Sequence, residues 1–211
     1  MLINNLLGQN FYHNILTRID GPTTPWFRGE HTATEKDPQT AYHSSFCNLV
    51  FKKENGPMGD LFDIVLPILL NAVDKQNLQL RDLLRIRIGL VTRTPEPIIH
   101  PAHKDYNTPH KTGLYYLNHA DGNTVIYNET KESDKYTVKE SIEPSANRWY
   151  DFDGAHYHSS TTPTKTEKSF INENFSFFVK KCDITRVIMG PIAINIPAVE
   201  EGMYCSAQLI K

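Results

Sequence analysis

The run IIHPAHKDYNTPHKTGLYYLN, residues 98–118, decides how the rest of the chain is read. His103 and Asp105 stand two residues apart, and on an extended backbone alternate side chains fall on one face, so an imidazole and a carboxylate can reach a common ion. A third ligand must come from another segment. The richest source is Phe152-Asp153-Gly154-Ala155-His156-Tyr157-His158, about fifty residues further on. Periodicity leaves His156 and His158 equally eligible, because residues two apart on a strand face the same way. Two imidazoles and one carboxylate, with open positions left on the ion, form the facial arrangement of non-haem Fe(II) sites.

Outward from this run the pattern is β. Arg85, Arg87 and Gly89 alternate with Ile86, Ile88 and Leu90 in the stretch 83–92, which gives one apolar and one polar face. Strand-like runs follow at residues 112–118, 124–128, 136–142, 148–152 and 169–179, with Asp121-Gly122 as a hairpin turn signal between two of them. Within residues 112–118, Leu114, Tyr116 and Asn118 share one face and Tyr115 and Leu117 the other. The dense mixed charge of residues 129–143 marks a solvated hairpin.

Toward the N-terminus the period changes. Leu6, Leu7, Phe11, Ile15, Leu16 and Ile19 recur mostly three or four apart, which predicts an amphipathic helix over residues 2–19, ending before Asp20-Gly21-Pro22 and covering a sheet. Trp26-Phe27 is a short aromatic piece, residues 45–52 read as a strand, and residues 59–74 carry a second helical stripe. Two helices followed by many short strands predict a mainly β fold with flanking helices, a double-stranded β-helix (jelly-roll, cupin-like) barrel with the helices against its outside. A chain of 211 residues suits one domain: residues 1–80 as helical support and strands, 83–180 as the jelly-roll core, 183–211 as a C-terminal extension. In the extension, Pro191 and Pro197 confine two apolar runs to sheet edges or isolated extended segments. Residues 27–40 and the extension are candidate lids.

The net charge of −2 gives no bulk attraction to nucleic acid or to an anionic membrane. Cys47, Cys182 and Cys205 are odd in number and widely spaced, which suggests neither a disulfide framework nor a structural zinc site and fits a reducing cytoplasm. Residues 1–10 lack the pattern of a signal peptide, and the longest apolar run, residues 64–70, is broken by Pro67 and too short to span a bilayer. The expectation is a soluble cytoplasmic protein.

Taken in order, His103-x-Asp105, Tyr115-Tyr116-Leu117-Asn118, Asp121-Gly122-Asn123-Thr124, Phe152-Asp153-Gly154, His158, Pro163 and Lys168 resemble the 2-oxoglutarate- and Fe(II)-dependent dioxygenases, in the branch similar to the prolyl hydroxylases. The likeness spans residues 83–178, and the compact arrangement also looks similar to oxygenases encoded by large tailed bacteriophages, which would place it in a host cytoplasm. The resemblance implies that His103, Asp105 and His158 are the iron ligands and catalytic centre, with His158 chosen over His156 because the family's ligand sits four residues after the glycine of the F-D-G turn. It implies that Lys168, ten residues beyond His158, pairs with the far carboxylate of 2-oxoglutarate, and that Tyr116 hydrogen-bonds the same group. Lysine in place of the commoner arginine gives up the planar two-pronged contact but keeps charge-assisted hydrogen bonds. His100 and His110 fall outside the ligand positions and are expected behind the ligands or on the substrate side.

The implied cofactors are Fe(II), 2-oxoglutarate and O₂, with ascorbate keeping the iron reduced. The implied reaction is oxidative decarboxylation of 2-oxoglutarate to succinate and CO₂ coupled to hydroxylation of an unactivated C–H bond. The substrate is a protein or peptide, proline first, or a small molecule. Two alternatives share such a barrel: a cupin-like metal isomerase or dioxygenase, which Asp105 and Lys168 count against, and a non-catalytic binding module.

Overall fold

The computed structural model describes residues 1–29, 45–166 and 170–181. The elements in chain order are β1 (Leu2–Asn4), α1 (Gln9–Ile19), β2 (Phe27–Gly29), β3 (Ser45–Lys52), β4 (Gly56–Pro57), α2 (Phe62–Lys75), β5 (Leu78–Val91), β6 (Lys111–Tyr116), β7 (Thr124–Tyr127), β8 (Val138–Ile142), β9 (Arg148–Asp153), β10 (His158–Ser160) and β11 (Phe170–Lys181). An antiparallel sheet runs β1-β9-β6-β11-β5-β3-β2, with β4 paired to β3, and a second sheet runs β10-β7-β8. Two sheets, one large and one small, with helices on one side make the expected mainly β jelly roll.

Strand alternation divides the large sheet into two faces. Ile86, Ile88, Tyr115, Trp149, Phe175 and Phe177 join the buried residues of α1 and α2 in one core. Residues of opposite parity, Val91, Leu114, Tyr116, Tyr150 and Phe152, pack with Ile126 of β7 and Ile142 of β8 in a second core between the two sheets. The helices therefore close one face, and the other is left to a cleft shared with the small sheet.

Several local expectations are corrected. The first helix starts at Gln9 and not at residue 2, because Leu2–Asn4 pair with β9 and add a strand to the sheet edge. The connection is held by Asn147, whose Oδ1 accepts from Leu7 N–H at 2.9 Å and whose Nδ2 donates to Leu7 C=O at 2.8 Å. Asp121-Gly122 is not a hairpin turn, since β6 and β7, on either side of it, lie in different sheets. The Asp121 carboxylate instead accepts from the backbone N–H groups of Thr164, Lys165 and Thr166 and from both threonine hydroxyls. The Tyr116 strand ends at that residue, two short of the expected bound, while the strand holding Arg85 begins five residues earlier, at Leu78. β8 is exposed along all but Ile142, as its charge pattern suggested. The expectations for residues 30–40 and 183–211 lie outside the described residues.

Gly113 of β6 lies beneath the indole of Trp149, and a Cβ there would fall 2.3 Å from Trp149 Cη2. Trp149 is fully buried, so the ring has little room to retreat. Gly113→Ala should therefore lower stability by about 1–3 kcal/mol, the usual cost of overpacking. Urea unfolding midpoints of the two proteins, compared at equal m-value, provide the check.

Candidate metal centre

His103 and His158 are brought together by backbone pairing. Each donates its N–H to the other's carbonyl at 2.9 Å, an antiparallel bridge that continues at Ile99 and Thr161. The two imidazole centroids stand 4.4 Å apart. Asp105 completes a cluster in which the three ligand atoms lie within 4.8 Å of one another. His158 Nε2 is 4.0 Å from Asp105 Oδ2.

The large sheet orients the carboxylate. Arg85 on β5, Ser176 on β11 and Thr112 on β6 stand at one register level on three adjacent strands. Arg85 Nη2 pairs with Asp105 Oδ1, Thr112 Oγ1 donates to Oδ2 at 3.1 Å, and Ser176 Oγ lies 3.5 Å from Oδ2. Burial works against charge on Asp105, but His158, the Arg85 guanidinium, His103 and the Thr112 hydroxyl outweigh it and hold the carboxyl well below the usual carboxylate range. The group is an anion at neutral pH.

The imidazoles are held ready to donate lone pairs. His103 Nδ1 lies 3.2 Å from the Pro101 carbonyl, and a carbonyl only accepts, so Nδ1 carries the proton and Nε2 keeps its lone pair. Burial pushes His103 down from the ordinary histidine value, although Asp105 partly opposes it. Burial, reinforced by the neighbouring His103, pushes His158 down to about 4. Both rings are thus neutral near pH 7, the state in which imidazole ligates a metal. Among the described residues neither ring nitrogen of His158 has a hydrogen-bond partner, a costly arrangement that a metal ion at Nε2 would relieve in part. The residues present therefore fit an ion held by two imidazoles and a carboxylate.

The other expected residues fall as follows. His156 is apart from the cluster, half-buried, with its Nε2 accepting from Lys139 Nζ at 2.8 Å. Tyr116 is fully buried and donates to Thr124 Oγ1 at 2.9 Å, and burial pushes its pKa up, so the phenol keeps its proton. His100 is buried with Nδ1 2.7 Å from Ser160 Oγ, where it ties the His103 segment to β10. His110 stands behind Thr112, with Nε2 3.3 Å from its hydroxyl and the ring against Gly154. Lys168 lies outside the described residues. Arg85, Thr112 and Ser176 were not singled out as site residues. For Arg85 the signal was the polar face of the alternating strand 83–92, part of which lines the cleft.

No protein-family model matches the chain, and no curated protein matches it. Solved structures do. A prolyl hydroxylase from Trichoplax adhaerens, in complex with a hypoxia inducible factor oxygen degradation domain peptide fragment, is 14% identical with a TM-score of 0.54, over 84% of this chain and 82% of that one. A prolyl-4-hydroxylase of Pseudomonas putida is 13% identical with a TM-score of 0.52, over 84% and 91%. The non-heme alpha ketoglutarate dependent epimerase SnoN from nogalamycin biosynthesis is 9% identical with a TM-score of 0.55, over 84% and 77%. This chain is a mainly β protein with the jelly-roll fold of these solved structures.

Proposed function

We propose that the chain is an Fe(II)- and 2-oxoglutarate-dependent oxygenase that hydroxylates an unactivated C–H bond, with a peptidyl proline or another amino-acid side chain as the first substrate to test. The observation that carries this reading is the His103–Asp105–His158 cluster set against the cleft between the two sheets. His103 Nε2, Asp105 and His158 Nε2 would hold the iron. When bound, iron and 2-oxoglutarate supply the oxidising power that attack on an unactivated C–H bond requires.

The chain's own contribution is placement and exclusion of water. Arg85 and Thr112 fix the Asp105 carboxylate, the Pro101 carbonyl fixes the His103 tautomer, and Phe152 sets its ring against His158 with centroids 5.2 Å apart. Tyr116 and Thr124 form a buried polar pair facing the cleft core, suited to the carboxylate of the cosubstrate. A peptide as substrate is supported by the peptide fragment bound to the Trichoplax neighbour. Among the described residues, no helix is long and apolar enough to cross a membrane.

The test is to load the protein with Fe(II) without oxygen, measure retained iron, and then follow succinate release with 2-oxoglutarate, O₂ and ascorbate in the presence of proline-containing peptides. Retained iron and succinate release dependent on 2-oxoglutarate are expected. A protein that holds no iron and releases no succinate above its metal-free control would refute the reading. The likeness to an epimerase makes product mass the discriminating measurement: gain of an oxygen atom means hydroxylation, and unchanged mass with inversion of a centre means the other reaction.

A further inference from the structure

The cavity beside the triad is lined by His103, His158, Leu114, Thr124, Asn174 and Arg87. Arg87 comes from β5 and stands opposite Asn174 of β11, which in turn stands opposite Leu114 of β6. This level lies two residues along the strands from Arg85, Ser176 and Thr112, the level that holds Asp105. Two residues of strand advance about 6.7 Å. 2-Oxoglutarate has its far carboxylate three C–C bonds beyond the keto carbon, so with bonds of about 1.5 Å plus a metal–oxygen bond that group would end roughly 6–7 Å from an ion held beside Asp105. Directed into the cavity that His103, Arg87 and Asn174 line, the far carboxylate would reach the level of Arg87 and Asn174.

Two features make that level suited to an anion. Arg87 brings a guanidinium, which matches a carboxylate with two parallel N–H donors. Among the described residues the buried Asn174 side-chain oxygen has no hydrogen-bond partner, and rotation of the amide by half a turn would present its N–H groups to an incoming carboxylate instead.

We infer that Arg87 on β5 receives the far carboxylate of 2-oxoglutarate, the role that the family resemblance gives to Lys168; this rests on the function proposed above. The experiment is calorimetric titration of Mn(II)-loaded protein with 2-oxoglutarate and, separately, with pyruvate, a 2-oxo acid that lacks the far carboxylate. Wild type should bind 2-oxoglutarate much more tightly than pyruvate. Arg87→Ala should lose at least about thirtyfold in 2-oxoglutarate affinity, the usual minimum for truncating one partner of a desolvated charge pair. Its affinities for Mn(II) and pyruvate should stay near wild type, and Lys168→Ala should keep its 2-oxoglutarate affinity.

Unchanged 2-oxoglutarate binding in Arg87→Ala overturns the inference, as does loss confined to Lys168→Ala. Loss of Mn(II) binding in Arg87→Ala also overturns it, because the arginine would then act through the metal site. Wild type that binds Mn(II) but shows no preference for 2-oxoglutarate over pyruvate refutes the proposed cosubstrate itself, and wild type that binds no Mn(II) refutes the metal centre.

Discussion

His158→Ala and Asp105→Ala should each strip the protein of iron and of 2-oxoglutarate-dependent succinate release, while His156→Ala should keep its iron. The His158 imidazole is buried against His103, with Nε2 4.0 Å from Asp105 Oδ2 and no hydrogen-bond partner among the described residues. The His156 ring faces Lys139, outside that cluster. Losing an outer partner of a ligand costs roughly 10–100-fold in metal affinity, so losing a ligand should cost more than that. Backbone pairing of residues 103 and 158 survives either alanine, because both hydrogen bonds of the bridge are main chain. The variants should therefore stay folded, and circular dichroism checks this alongside metal analysis. Iron loss in His156→Ala with retention in His158→Ala would shift the register of this strand by two residues and dismantle the proposed centre.

Much of this architecture was legible because burial writes itself into period. The second helix, the strand 45–52 and the strands around Trp149 and Phe175 carry alternation or helical spacing strong enough to read directly. The errors come from features that local pattern does not contain. Leu6 and Leu7 are buried as a helical stripe would require, but they are buried in a connecting segment held by Asn147, some 140 residues away. Asp121-Gly122 carries a turn signal, yet the carboxylate is engaged 43 residues downstream at Thr164. The polar face of residues 83–92 reads the same whether it meets water or a polar cleft, so Arg85 and Arg87 were visible as alternation and invisible as site residues. The pairing of His103 with Asp105 needed only two-residue periodicity, whereas His158 could be set above His156 only through the spacing carried by the family resemblance.

Arg85→Met should destabilise the metal-free protein by about 3–5 kcal/mol, toward the lower end because the arginine keeps some contact with water, and a divalent metal should restore much of the loss. The Asp105 side chain is 2% exposed and that of Arg85 22% exposed. In the metal-free protein Arg85 is the cation paired with this carboxylate, while Thr112 supplies a neutral hydrogen bond. Methionine keeps much of the stem and removes the charge, so the penalty arises from a buried anion left without its counter-ion. A dication held by His103, Asp105 and His158 would neutralise the same anion, so binding should stabilise the variant more than wild type. Urea unfolding of both proteins, without metal and with saturating Mn(II), measures the four stabilities needed. The gap between wild type and variant should be large without metal and small with it. An equal gap in both conditions would mean that Arg85 stabilises the fold through its stacking on Tyr106, 5.6 Å from the ring centroid, and not through the Asp105 carboxylate.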